Sequence, residues 1–195
     1  MLQNTDTDKI YVGVDECGRG CLAGDVCCAA VIWDPGYKHP LVEKIKDSKK
    51  LSEKQREELA EFIKDNAIDY SICKVDAQRI DEINILEATY EAMHGALDRM
   101  CVNFDHVMVD GNRFRQYKHV PYTSVVGGDN KYICIAAASI LAKVERDNDM
   151  KRLSIQHPEY GWGKNVGYGT KEHMEALKVH GATPYHRKSF RGVLT

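Results

Sequence analysis

Residues 10–20, IYVGVDECGRG, decide how the rest of the chain is read. The first half, IYVGV, is apolar and rich in β-branched and aromatic residues, the composition of a strand inside a sheet. It then runs into two adjacent carboxylates, Asp15 and Glu16, followed by Arg19 between Gly18 and Gly20. Desolvating an unpaired carboxylate is costly, and two neighbours also repel each other. A cation seated against them removes both penalties.

Outward from this stretch the chain alternates strand and helix signals. VCCAAVIW (26–33) is a second strand, apolar enough to be central, and a Pro-Gly turn follows at Pro35 and Gly36. LSEKQREELAEFIKDN (51–66) carries a capping box at Ser52 and Gln55, with Leu59, Phe62 and Ile63 at helical spacing. IDYSICKVD (68–76) alternates as a third strand, and the spacing of Ile83, Leu86, Tyr90, Met93 and Leu97 predicts one long helix from Ile80 to Met100. HVMVDGN and YTSVVGGDN each read as strand then turn, and residues 131–153 as a helix with an alanine-rich centre. A short helix, TKEHMEALKVHG, ends at Gly181.

Two further acids fall at strand ends: Asp110 closes HVMVDG, and Asp129 follows VVGG. Open α/β sheets place their sites at strand ends, so Asp15, Glu16, Asp110 and Asp129 can converge at one edge. Carboxylates without histidine or cysteine partners suit a hard, oxygen-preferring ion, Mg²⁺ or Mn²⁺, and do not suit zinc. Each acid also fits a plain turn or strand cap. GRGCLAG is one residue too long for the dinucleotide-binding fingerprint and leads into a strand where that motif needs a helix. Glycines there instead let a ligand approach the backbone, and Arg19 offers a forked donor to phosphate.

Composition bounds the alternatives. A chain of 195 residues with 43% hydrophobic side chains can bury a real core. The net charge of −2 gives no general argument for a nucleic-acid partner, but residues 161–195 hold six Lys/Arg against two acids. Seven cysteines, an odd number with several in apolar runs, read as reduced thiols of a cytoplasmic protein, and Cys17 and Cys21, four apart with no matching second pair, read as buried thiols rather than zinc ligands. No signal-peptide core or long uncharged apolar run is present, so no membrane is expected, and nothing demands more than a monomer. Lys49 and Lys50 sit before a helix start, and aromatic residues neighbour basic ones at GYGTKEH (Tyr168, Lys171) and PYHRKSF (Tyr185, His186, Arg187, Lys188). That pairing fits base or sugar stacking beside phosphates, and fits packing of a small module equally well.

Taken together, VDECGRGCLAG, DSKKLSEKQR, IDEINILEATYEAM, VMVDGN, AAASILAKVERD, HPEYGWGKNVGYGT and HGATPYHRKSF resemble the type 2 ribonucleases H, within them the bacterial ribonuclease HII family, along nearly the whole chain. The resemblance implies an α/β fold: an RNase H-like core (residues 1–155) with a mixed five-stranded sheet flanked by helices. A small helical substrate-contacting segment (156–195) would follow it. It implies a metal-dependent endonuclease that cuts the RNA strand of RNA–DNA hybrids and nicks duplex DNA 5′ of a single embedded ribonucleotide. Two Mg²⁺ or Mn²⁺ ions would serve, leaving 5′-phosphate and 3′-hydroxyl ends. By motif, Asp15, Glu16, Asp110 and Asp129 match the catalytic and metal-binding acids. Gly18, Arg19 and Gly20 match the loop that reads the ribose 2′-hydroxyl, Tyr168 matches the tyrosine that stacks at the RNA–DNA junction, and Lys49 and Lys50 fall in the phosphate-contacting block. Cys21 and Asp25 stand where the family often has proline, and Gly127 where lysine is common. Two other classes fit less well. A binding-only module should lack one of the acids, and an aspartyl phosphatase wants a second Asp where Cys17 stands.

Overall fold

In the computed structural model, which describes residues 2–3 and 8–193, one five-stranded sheet carries helices on both faces. The outermost ends of the two expected units therefore fall outside the described residues. The strands are β1 (Tyr11–Cys17), β2 (Val26–Ile32), β3 (Asp69–Val75), β4 (His106–Asp110) and β5 (Tyr122–Val125), in spatial order β3-β2-β1-β4-β5. The β1–β2 and β2–β3 pairs are antiparallel; β1–β4 and β4–β5 are parallel. The sheet is therefore mixed, as expected.

Side-chain alternation along the central strands feeds two cores. Cys27, Ala29 and Val31 of β2 face α1 (Glu53–Asn66) and α3 (Ile133–Gln156), while Cys28, Ala30 and Ile32 face α2 (Ala77–Asp98). Every residue of β2 is buried, the signature of a strand covered on both sides. Helix α1 starts on its capping box: Ser52 Oγ accepts from Gln55 N–H, and Gln55 Oε1 accepts from Ser52 N–H. Helix α3 lies so close to the sheet that a Cβ on Gly13 would stand 2.3 Å from the backbone of Cys134. Only glycine permits that approach.

The uninterrupted helix expected over Ile80 to Met100 is corrected in two respects. It begins earlier, at Ala77, and it breaks at Asn84, whose φ of 67° is not helical. Asn84 Oδ1 accepts from Leu86 N–H and Glu87 N–H at 2.9 and 3.2 Å, so this side chain caps a fresh helix. Apolar periodicity continues across the break and conceals it.

After α3 the chain makes a 3₁₀ turn (Pro158–Tyr160), the short α4 (Trp162–Asn165) and α5 (Lys171–His180). Tyr160, Trp162, Ala176, Leu177 and Val193 form a third apolar cluster, closed by Ala23 and Met150 from the core. This cluster presses the C-terminal segment onto the loop after β1. Among the described residues no helix is long and apolar enough to cross a membrane.

Candidate active site

The site lies where β1 outruns its parallel partner. β1 pairs with β4 only as far as Val14↔Val109, but stays paired with β2 through Cys17↔Cys27. Asp15 and Glu16 are thus held rigidly by one neighbour and left open on the other side, next to Asp110 at the end of β4. Period-two alternation turns Asp15 and Asp110 toward the α3 face and Glu16 toward the α2 face. Asp129 enters from a 3₁₀ turn, Gly128–Asn130, just after β5. A hollow of about 300 Å³ is lined by Asp15, Glu16, Asp110 and Asp129, together with Lys49, Ser139, Lys143 and Tyr168.

Each acid is held. Asp15 is 6% exposed, and its Oδ1 accepts from Glu16 N–H at 2.7 Å. Asp110 Oδ1 accepts from Gly128 N–H at 2.6 Å, tying β4 to the turn that carries Asp129. Asp129 accepts from Asn130 Nδ2 at 2.9 Å. Burial, reinforced by the charges of Glu16 and Asp110, pushes the Asp15 carboxyl well above the ordinary carboxylate range, against a hydrogen bond from Ser139. Burial also raises Glu16, although Arg19 opposes it, and raises Asp129 with help from Asp47 and Asp110. These are like charges crowded into low dielectric. Among the described residues no three such side chains stand in a finished ligand geometry; the acids converge on a common hollow rather than on a point.

The glycine loop borders this hollow. Arg19 pairs with Glu16 Oε1 at 3.3 Å, and its side chain reaches a second hollow of about 370 Å³ on the α2 side. Glu16 and Asp110 line both spaces, so the carboxylates form the wall between them. Gly20 approaches Tyr168, whose ring is 3.9 Å from where a Gly20 Cβ would lie. Tyr168 is 47% exposed, and burial of its hydroxyl beside the Cys21 and Cys17 thiols pushes it up to about 12. Its carbonyl accepts from His173 Nδ1 at 2.9 Å, which fixes its backbone.

The two lysines separate. Both lie in a 3₁₀ turn, Ser48–Lys50, rather than in an open loop. Lys49 lines the hollow; Lys50 turns away to Asn130 Oδ1 and to Asp47 at 3.8 Å. PYHRKSF divides as well: His186 and Arg187 are 1% and 0% exposed, so for them the packing alternative is the right one, while Lys188 is exposed.

Sequence reasoning passed over Asp47, Ser139 and Lys143. Burial raises Asp47, but donation from Lys49 N–H and Asn130 outweighs it and holds the carboxyl below its usual range. Asp47 also caps the turn that presents Lys49, accepting from Lys49 N–H at 2.9 Å. Ser139 and Lys143 stand four residues apart on α3, a spacing that puts them on one face. The alanine-rich run around them reads as packing, which hides a polar face. A larger hollow of about 550 Å³ near Tyr37 and Pro40 has a single carboxylate, Glu43, and none of this convergence.

Comparison with known proteins bears on the family and the fold. A family model described as ribonuclease HII matches residues 12–193. The ribonuclease HII of Bacteroides thetaiotaomicron is 50% identical over 190 residues, covering 97% of this chain and 94% of the relative. That of Cytophaga hutchinsonii is 51% identical over 191 residues, covering 97% and 93%. In three dimensions the chain is similar to the crystal structure of ribonuclease H2 from Pyrococcus horikoshii, with a TM-score of 0.77, 27% identity and 94% of each chain covered. With matches spanning nearly its whole length, and a mixed sheet whose strand ends gather four carboxylates, the chain belongs to the ribonuclease HII family of endoribonucleases.

Proposed function

We propose that this enzyme hydrolyses the RNA strand of RNA–DNA hybrids and nicks duplex DNA on the 5′ side of a single ribonucleotide, leaving 5′-phosphate and 3′-hydroxyl ends. The observation that carries the reading is the gathering of Asp15, Glu16, Asp110 and Asp129 around one hollow that Lys49 and Tyr168 also line.

The donor set fits two divalent ions of the Mg²⁺ or Mn²⁺ class. It is made of carboxylate oxygens, three of the four acids are raised by burial and like charge, and no histidine lines the hollow. Cys17 also lines the hollow, but its soft sulfur is a poor match for hard, oxygen-preferring ions. Bound there by these four side chains, the ions would lower the pKa of an attacking water and stabilise the leaving 3′ oxygen.

The chain's own groups do the rest. Lys49 lines the acid hollow, where it can meet a phosphate without neutralising the carboxylates through a direct ion pair. Backbone groups of Gly18, Arg19 and Gly20 read the ribose 2′-hydroxyl, a donor and acceptor that DNA lacks. The exposed Tyr168 ring stacks on the sugar beside it. Residues 156–195 act as the substrate-contacting segment, since they supply Tyr168 and carry the surplus of cations. Lys50 serves the turn more than the substrate, given its bonds to Asn130 and Asp47.

The deciding experiment incubates purified protein with duplex DNA carrying one internal ribonucleotide, and separately with an RNA–DNA hybrid, in Mg²⁺, in Mn²⁺ or in chelator. Metal-dependent nicking immediately 5′ of the ribonucleotide is the expected product. Undiminished cutting in chelator, or equal cutting of all-DNA duplex, overturns the reading.

A further inference from the structure

Two arginines have no place in the chemistry above and are nevertheless the largest fully buried charged side chains among the described residues. Arg146 of α3 is 1% exposed and Arg187 of the C-terminal segment 0%. Among the described residues neither guanidinium has a carboxylate within ion-pair distance; both are spent on backbone carbonyls. Arg146 donates from Nε to Asp25 O at 3.0 Å, from Nη2 to Ala23 O at 3.0 Å and from Nη1 to Val166 O at 2.8 Å. Arg187 donates to Gly24 O at 3.0 and 2.8 Å and to Arg19 O at 3.0 Å.

The loop between β1 and β2 cannot satisfy its own carbonyls, and buried carbonyls left unpaired are costly. A guanidinium carries five N–H groups in a fixed plane, so one side chain can hold several strands of irregular backbone in a set relation. Arg146 does this on the two elements assigned to the ribonucleotide. It holds the glycine loop at Ala23 and Asp25, and it holds Val166, two residues before Tyr168. The fit against Gly18 is close: at φ +94°, a Cβ on Gly18 would lie 2.1 Å from Arg146 Nε. Any side chain at Gly18 therefore displaces the guanidinium. Arg187 closes the loop from the other side at Arg19 and Gly24. Further backbone bonds run from Arg187 N–H to Leu22 O and from Leu22 N–H to Gly167 O, both 2.8 Å.

The geometry points to Arg146, seconded by Arg187, as a positioning residue that sets the spacing between the Gly18–Gly20 backbone and the Tyr168 ring, and through it the selection of a single ribonucleotide. This inference rests on the function proposed above and adds to it the device that holds the recognition elements in register.

The test compares wild type, Arg146→Lys, Gly18→Ala and the double variant. For each, kcat and KM are measured on duplex DNA with one ribonucleotide and on a long RNA–DNA hybrid, with thermal melting alongside. A long hybrid offers a 2′-hydroxyl at every register and a single ribonucleotide only one, so misplacement falls hardest on the latter. Arg146→Lys is expected to lose about 30-fold in kcat/KM on the single-ribonucleotide duplex and less than about 5-fold on the hybrid, the scale of an ångström-sized misplacement. Gly18→Ala should give the same pattern. The double variant should be no worse than the poorer single one, because Arg146→Lys removes the guanidinium that Gly18→Ala displaces. Equal losses on both substrates, or losses that multiply in the double variant, overturn the inference. If Arg146→Lys does not fold, Gly18→Ala decides alone, and unchanged selectivity there overturns it. Wild-type protein that cuts neither substrate in Mg²⁺ or Mn²⁺ defeats the proposed function instead.

Discussion

The strand ends and the loop beside them bury charge in opposite ways. At the end of β1 and β4, acids are crowded together with few donors, and burial and like charge hold Asp15, Glu16 and Asp129 above their ordinary range. One loop away, Arg146 and Arg187 are buried as deeply, yet among the described residues every guanidinium hydrogen bond they make ends on a backbone carbonyl. A buried charge that its surroundings do not satisfy marks a place prepared for something else; one that is satisfied marks scaffold. The two regions touch through the glycine loop, so the scaffold exists to hold the unsatisfied site in register.

This contrast predicts opposite outcomes for neutralising substitutions. Asp110→Asn should reduce cleavage more than about 10³-fold while leaving the melting curve cooperative, because a ligand rather than a structural bond is lost. Turnover within a few-fold of wild type would remove Asp110 from the metal site. In chelator, Asp15→Asn should melt higher than the parent, since it relieves repulsion among buried carboxylates. A lower melting temperature there would mean that the acids are already satisfied, and the comparison would collapse.

On the scaffold side, Arg187→Met should destabilise by about 3–5 kcal/mol, since it strands the carbonyls of Arg19 and Gly24 without donors. Denaturant titration measures this directly, and a loss under about 1 kcal/mol would show that water replaces the guanidinium. The acid limb of stability reports on the same segment. Burial, with His173 and His157 facing it, lowers His186 from 6.5 to about 4. Below pH 6.5 the unfolded chain takes up a proton that the folded chain refuses until about pH 4, so stability falls as pH drops through that window. The expected loss at this residue is on the order of 3 kcal/mol, read by integrating the slope of unfolding free energy against pH and removed in His186→Asn. The smallest effect belongs to the exposed ring: Tyr168→Ala should cost about tenfold on a single ribonucleotide, with little change in melting. Wild-type rates on both substrates would release Tyr168 from junction reading.

Much of this was legible in the residues. The IYVGV and VCCAAVIW runs announced central strands, Ser52 and Gln55 announced a helix start, and acids at strand ends announced where a site would lie. Other features were hidden because their signal was ambiguous locally. Asn84 breaks α2 without interrupting its apolar spacing, and Ser139 and Lys143 sit inside a run that looks like plain packing. Arg187, between His186 and Lys188, has the same local pattern whether it meets phosphate or carbonyl.

What the sequence by itself determined is which groups carry charge and where the apolar runs release them: Asp15 and Glu16 after one strand, Asp110 after another. Only the tertiary structure decided which charges are answered. The carbonyls that satisfy Arg146 and Arg187 include those of Ala23 and Gly24, 123 and 163 positions away. Whether a buried charge is satisfied depends on what surrounds it in space, and neighbours that distant along the chain are brought together by the packing of the third apolar cluster against the loop after β1.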